Sequence, residues 1–122
     1  MGKKVDYNYP LIIYNELITK AKNKSTVDYQ YLNLLTRNKY SREELDLILE
    51  SHFLTDIAND RPELWVLVSE NDKDLPSNEY FNCLISNGIM MEGEDKELIY
   101  SVQLKKAHDY WPRRKRTGRR KK

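Results

Sequence analysis

The chain has 122 residues, a formal net charge of +2 at neutral pH and a single cysteine. This length suits one domain, which can bury a core without a metal or a disulfide bridge. One cysteine cannot form an internal disulfide, so we expect a protein of the reducing cytoplasm. No apolar run approaches the ~20 residues that cross a bilayer, so we expect no membrane partner.

The small net charge hides two regions of opposite sign. Residues 113–122 contain eight Lys or Arg and no acid, whereas residues 1–112 contain 13 basic and 19 acidic residues, a formal charge of −6. A segment as charged as the first of these cannot bury apolar surface, so we expect it to be disordered when free. The chain therefore divides into a flexible leader (1–7), a folded domain (8–112) and a basic tail (113–122).

Helical spacing and a good first-turn residue predict the first helix. Pro10 suits the start of a helix, where its missing N–H is harmless. The apolar positions of this helix are Leu11, Tyr14, Leu17, Ile18 and Ala21. Residues 25–27 are β-prone, and Asp28 can cap a short second helix.

A capping box predicts the start of a long third helix. Ser41 stands at the N-cap and Glu44 at the third helical position, so each can bond the other's backbone N–H. The apolar stripe of this helix contains Leu45, Ile48, Leu49, His52, Phe53 and Ile57. We expect His52 to pack in or at the rim of the core.

The second half begins with a continuous apolar run. Residues 64–68, Leu-Trp-Val-Leu-Val, predict a buried strand. A fourth helix begins at Pro76-Ser77 and ends at Asn87-Gly88. We predict a last helix over residues 98–110. A strand over 97–102, paired with 89–91, is the alternative that the sequence leaves open.

Several short segments carry a resemblance to a known family. These are Tyr9-Pro10-Leu11, Thr26-Val27-Asp28-Tyr29 with Leu32, Arg61 to Val68, Asp74-Leu75-Pro76 with Tyr80-Phe81, and Tyr110-Trp111. Together they resemble a small prokaryotic and phage winged-helix-like family, over about residues 9–111. The sequence departs from that family at Ser77 and Glu79, in a stretch where the family has glycines.

The resemblance implies an α+β, helix-rich fold of the winged helix-turn-helix type. The predicted order of helix, short β segment, helix, long helix and strand is also the order of such a domain. The shared motifs are structural, so the resemblance implies no catalytic residues. A fold by itself does not give a function.

The basic tail is the first candidate nucleic-acid-binding site. Arms of this kind bind phosphate backbones by releasing counterions, without reading sequence. The residues that we assign to this role are Arg113, Arg114, Lys115, Arg116, Arg119, Arg120, Lys121 and Lys122. The alternative is a solubilising tail, or one that folds back on the acidic face of the domain.

A second candidate site is a basic patch on the domain itself. It would combine Lys20, Lys22, Lys24, Arg37, Lys39 and Arg42, with Tyr29, Tyr31 and Tyr40 nearby. Cations beside aromatic rings suit phosphates and unstacked bases. The alternative is a set of scattered surface cations with tyrosines at the edge of the core.

The long third helix would be the recognition helix of a winged-helix reader. Its solvent face, however, carries Glu43, Asp46, Glu50, Asp56 and Asp60. Phosphates repel carboxylates, so this face argues against docking in the major groove. It is either a solvated face of a packing helix or a surface that docks a basic protein partner.

The acidic residues and the lysine of segment 70–73 follow the predicted strand, but they lack the carboxylate-x-Lys spacing of metal-dependent nucleases. Motifs such as a phosphate-binding glycine loop, a nucleophile elbow or a zinc-binding helix are absent. His52, Cys83 and His108 lack the spacing of zinc ligands. We therefore expect no enzyme activity, no metal and no cofactor.

The sequence thus predicts a non-enzymatic accessory protein that binds nucleic acid largely through its tail. It favours DNA over RNA as the ligand, without deciding between them. The alternative is an adaptor or helper subunit of a larger DNA-processing or replication enzyme, on a phage or mobile element. The oligomeric state stays open.

Overall fold

The computed structural model describes residues 8–71 and 74–113, which form a helix-rich α+β fold. The predicted leader, residues 1–7, lies outside the described residues, as does the basic tail beyond Arg113. The elements in chain order are α1 (Tyr9–Lys22), β1 (Val27–Asp28), α2 (Tyr29–Leu35), α3 (Arg42–Ala58), β2 (Val68–Ser69), α4 (Asn78–Ser86) and α5 (Lys96–Arg113).

Side-chain caps fix where four of the helices begin. The Asn8 side chain accepts from a backbone N–H of the first turn of α1, and Asp28 does the same for α2. Ser41 and Glu44 form the predicted capping box of α3, and Ser77 caps α4. These caps satisfy otherwise orphaned N–H groups, so the local sequence was enough to predict the starts of α2, α3 and α4, whereas the Asn8 cap of α1 was not predicted.

The predicted strand over residues 64–68 is mostly wrong. Trp65–Leu67 forms a short 3-10 helix, closed by the Leu67 N–H donating to the Leu64 carbonyl at 3.0 Å. Only Val68–Ser69 is extended, and it pairs in parallel with Val27–Asp28. The predicted burial of the run is confirmed, since all five residues are buried.

The last helix is confirmed and the alternative strand over 97–102 is wrong. α5 begins at Lys96 and packs along α1 and the 3-10 helix. Ala107 and Trp111 are the buried contacts of its C-terminal half. None of the helices that the structure describes is long and apolar enough to cross a membrane.

An aromatic cluster forms the centre of the core. The ring of Trp65 lies edge-on to Phe53 and Tyr80, with centroids 6.2 and 5.7 Å away. The predicted stripe of α1 needs one correction, because Leu11 is half exposed and Ile13 is buried in its place. The core thus joins α1, α3, α4 and α5 through the 3-10 helix.

Candidate functional site

Arg42, a predicted nucleic-acid ligand, is held by carboxylates of the same chain. Its guanidinium donates two hydrogen bonds to Glu70, at 3.2 and 2.7 Å. It lies 3.5 Å from an Asp46 oxygen, 3.9 Å from a Glu79 oxygen and 3.6 Å from the centre of the Tyr29 ring. Since these partners surround its guanidinium, the geometry does not favour Arg42 as a phosphate ligand.

Next to Arg42, a groove of about 390 Å³ runs between α3 and α4. Trp65 is buried and forms its floor, while Leu47 is 65% exposed at its edge. We call it the acidic groove, and its lining residues are Glu43, Asp46, Leu47, Glu50, Trp65, Glu79, Asn82 and Cys83.

Two of the four carboxylates that line the acidic groove face Arg42, and the other two have no cationic partner in the described structure. Glu43 and Glu50 form no ion pair with any residue in the ranges 8–71 and 74–113. Burial raises the pKa of Asp46, although Tyr29 donates a hydrogen bond to it at 2.7 Å. Burial and the nearby Glu50 charge raise the pKa of the Cys83 thiol to about 11, so this thiol stays protonated and unreactive.

Asp56 lies in the core, which corrects the prediction that it belongs to the solvent face of α3. It is fully buried and accepts hydrogen bonds from the Tyr14 hydroxyl at 2.5 Å, Arg61 Nε at 3.1 Å and the Leu64 N–H at 3.1 Å. We call these groups the Asp56 cluster. Asp60 is exposed, as predicted.

Glu63 is a second buried carboxyl group. Its oxygens accept from the Tyr80 hydroxyl at 2.6 Å, the Gln103 amide at 3.3 Å and the Val66 N–H at 3.2 Å. Burial nevertheless raises the pKa of Glu63 to about 8, because desolvation disfavours the charged form more than three donors favour it.

The contacts of the other predicted basic residues point to different elements. Lys20 pairs with Glu16 at 3.8 Å and lies 5.0 Å from the Tyr31 ring of α2. Lys24 pairs with Asp109 of α5 at 3.7 Å. The Lys24 pair is exposed, and exposed pairs are weak and break readily, whereas Lys20 and Glu16 are half-buried. The structure therefore leaves Lys24 more accessible than Lys20, and it does not gather these lysines around one point.

Lys22 is exposed on the last turn of α1, and Arg37 and Lys39 are exposed on the segment that follows α2. Arg37 and Asn38 both have positive φ values, 56° and 58°, where the backbone reverses. Lys39 lies 6.0 Å from the Tyr40 ring. Their role in nucleic-acid binding stays a prediction, as does that of the tail residues, which lie outside the described residues beyond Arg113.

Sequence reasoning missed the members of the acidic groove that come from outside α3. Trp65, Glu79 and Cys83 reach it only through the packing of α4 and the 3-10 helix on α3. The burial of Asp56 did have a signal in the sequence. Leu49, Phe53 and Asp56 stand at positions i, i+4 and i+7, the spacing of one helix face.

The chain has no detectable match among profiles of known protein families, curated protein sequences or solved structures. Within residues 8–71 and 74–113, no group of three or more His, Cys, Asp or Glu side chains is arranged to hold a metal ion.

Proposed function

We propose that this protein is a non-enzymatic accessory protein of the cytoplasm that binds nucleic acid, chiefly DNA, through residues 113–122. The observation that carries the proposal is the division of charge. The tail has eight cations and no acid, whereas residues 1–112 have a formal charge of −6. Cations of the domain such as Lys24, Arg42 and Arg61 are paired with the domain's own carboxylates.

Polyelectrolyte physics makes the tail the stronger phosphate ligand. Each phosphate neutralised on duplex DNA releases condensed counterions, and this entropy supplies most non-specific affinity. A cation that already pairs with a carboxylate must first leave that partner. The acidic walls of the groove would also repel a phosphate backbone that approached α3.

We further propose that residues 8–112 are a winged-helix-like domain. The succession of α1, β1, α2, α3 and β2 supports this assignment, together with the capping box of α3. Two features depart from that type: the β1–β2 pair is parallel, and α4 is the element described after β2. The acidic first turn of α3 argues that this helix does not read bases.

The acidic groove favours a second candidate function, that of an adaptor. In this function the domain docks on a larger protein, such as a DNA-processing or replication enzyme, while the tail holds nucleic acid. Four carboxylates around an apolar floor suit a basic protein surface better than a polyanion.

Deletion of residues 114–122 tests the proposed function. We expect binding of a fluorescent duplex to fall at least tenfold at ~0.1 M salt, because the deletion removes most of the cations that neutralise phosphates. Replacing Lys20, Lys22, Lys24 and Lys39 together by Ala is the matched control and should change binding less than threefold. Circular dichroism checks that both variants stay folded. If the lysine variant lost more DNA affinity than the deletion, the nucleic-acid-binding site would lie on the folded domain.

A further inference from the structure

The acidic groove combines an apolar floor with acidic walls, and no group of the described residues fills it. We propose that this groove binds a short basic segment of a protein partner, which places one aliphatic or aromatic side chain on the floor between flanking Lys or Arg residues. The inference deepens the adaptor function and does not depend on nucleic-acid binding by the tail.

The floor requires an apolar side chain in the occupant. Trp65 lines it from the core, and Leu47 stands exposed at its edge, 65% accessible on a helix where Leu45 and Leu49 are fully buried. The volume of about 390 Å³ lies within the ~300–1,000 Å³ range of small binding sites. A groove of this size takes one large side chain and the backbone beside it.

The acidic walls of the groove require positive charge in the occupant. Five carboxylates lie in or beside the groove, and Arg42 is the one guanidinium among them in the described structure. Its two hydrogen bonds to Glu70 keep it at one end of the groove. Glu43 and Glu50 remain to pair with an incoming Lys or Arg, which would steer association of a basic segment.

The groove is held in shape before any partner arrives. The Tyr29 hydroxyl donates to Asp46 at 2.7 Å, and the indole N–H of Trp65 donates to the same hydroxyl at 3.3 Å. The capping box fixes the first turn of α3, which carries Glu43. A partner therefore does not have to order this surface, which lowers the entropic cost of binding.

The chain's own tail fits the walls but not the floor. Residues 113–122 contain eight cations, one Thr and one Gly, with no apolar side chain that could cover the exposed Leu47 beside Trp65. A nucleic acid does not fit the walls, because its phosphates would face carboxylates. Of the three occupants compared, a basic protein segment with one apolar side chain fits both the floor and the walls of the groove.

Three labelled peptides test this proposal by fluorescence anisotropy with the full chain. The first, GKRLKRG, carries a central Leu, the second, GKRSKRG, replaces it by Ser, and the third, RRKRTGRRKK, is the tail itself. We expect the Leu peptide to bind roughly tenfold more tightly than the Ser peptide, since burying a leucine side chain is worth about that much. A tail that competes within the chain would weaken both peptides equally and leave their ratio unchanged.

Variants of the groove locate the binding. We expect Leu47→Ser to abolish the preference for the Leu peptide, and Glu43→Gln with Glu50→Gln to weaken both short peptides about fivefold. Leu34→Ser is the matched control, because Leu34 is 69% exposed on α2 and lies outside the groove. It should change neither affinity.

Three results would overturn the proposal. They are equal binding of the Leu and Ser peptides, an unchanged preference in Leu47→Ser, and binding of the tail peptide as tight as that of the Leu peptide. The last result would assign the groove to the chain's own tail. Because the peptides contain no phosphate, these outcomes are independent of whether the tail binds DNA.

Discussion

The two ends of α3 carry the same kind of residue in opposite surroundings. At its C-terminal end, Asp56 is fully buried and receives three donors from the chain itself. Glu43 in the first turn and Glu50 at the middle of the helix border an open groove, and neither forms an ion pair within the described structure. A carboxylate that accepts three hydrogen bonds inside the core holds the fold together, whereas one without a cationic partner at a groove can meet a basic partner.

Acidic residues of α3 with the same charge have different roles in the structure. The sequence analysis assigned Glu43, Asp46, Glu50 and Asp56 to one solvent face. The structure divides them, because Tyr14 and Arg61 reach Asp56 from α1 and from the loop after α3. We therefore expect substitutions in the Asp56 cluster to change stability, and substitutions in the acidic groove to change binding.

Removing the carboxylate of the Asp56 cluster should have the largest effect. Asp56→Ala leaves the partly buried Arg61 charge and the Tyr14 hydroxyl without their acceptor. Removal of one partner of a buried pair costs roughly 3–5 kcal/mol. Urea denaturation measures this, with Glu50→Ala as the groove control, expected to change stability by less than about 0.5 kcal/mol. If Asp56→Ala lowered the free energy of unfolding by less than about 1 kcal/mol, Asp56 would not differ from the groove carboxylates in its effect on stability.

The buried Glu63 carboxyl group should make the stability of the fold depend on pH. Its pKa, raised to about 8 in the folded protein, exceeds its ordinary value of 4.5, so the folded state binds the proton more tightly than the unfolded state. The contribution of Glu63 to the free energy of unfolding is therefore fully present below pH 4.5. It falls as the pH rises toward 8 and levels off above pH 8. The slope reaches about 1.4 kcal/mol per pH unit.

The variant Glu63→Gln should be free of this contribution while keeping a similar shape. Burial raises the pKa of Asp46 and Asp56 as well, so the informative quantity is the difference between the two proteins in urea melts across pH 4–9. Parallel stability curves for the wild type and Glu63→Gln would show that Glu63 does not titrate in this window.

Removal of the α3 cap should affect the two ends of the helix unequally. Ser41→Ala removes one half of the capping box and should cost about 1 kcal/mol of stability. The first turn, which carries Glu43, would then fray, so binding of the Leu peptide should weaken about twofold. Hydrogen exchange should stay slow around Asp56. Faster exchange at both ends would mean that the helix responds as one unit.

Neutralising the groove should have the smallest effect on the fold and on DNA binding. Glu43→Gln with Glu50→Gln should leave stability within about 0.5 kcal/mol. Two fewer negative charges also reduce repulsion of phosphates, modestly because salt screens over about 8–10 Å. DNA affinity should therefore stay the same or rise slightly in anisotropy titrations. A marked drop in DNA affinity of the folded variant would place α3 against DNA.

The sequence predicted what short-range chemistry determines. Caps at Asp28, Ser41 and Ser77 depend on atoms three residues apart, so the pattern alone located those helix starts. The run over 64–68 was correctly predicted as buried, but its backbone was not, because a short apolar run cannot distinguish a strand from another buried conformation. The 3-10 helix there forms where Trp65 packs against Phe53 and Tyr80.

The candidate sites depended on contacts that no local pattern contains. Arg42 meets Glu70 across 28 positions, and Lys24 meets Asp109 across 85. These pairings decide which cations remain available, and they arise only when the helices pack. The acidic groove is of the same kind, because its walls come from α3 and α4 and its floor from the residue between them.

The salt dependence of DNA binding tests most directly whether the tail and the domain divide their roles in this way. We would measure the slope of log K against log salt for the full chain and for the chain without residues 114–122. We expect the slope to shrink by about 0.9 for each phosphate that the tail no longer neutralises, leaving less than about a third of the original value. A slope that stays the same after the deletion would contradict the division and place the phosphate-binding cations on the folded domain.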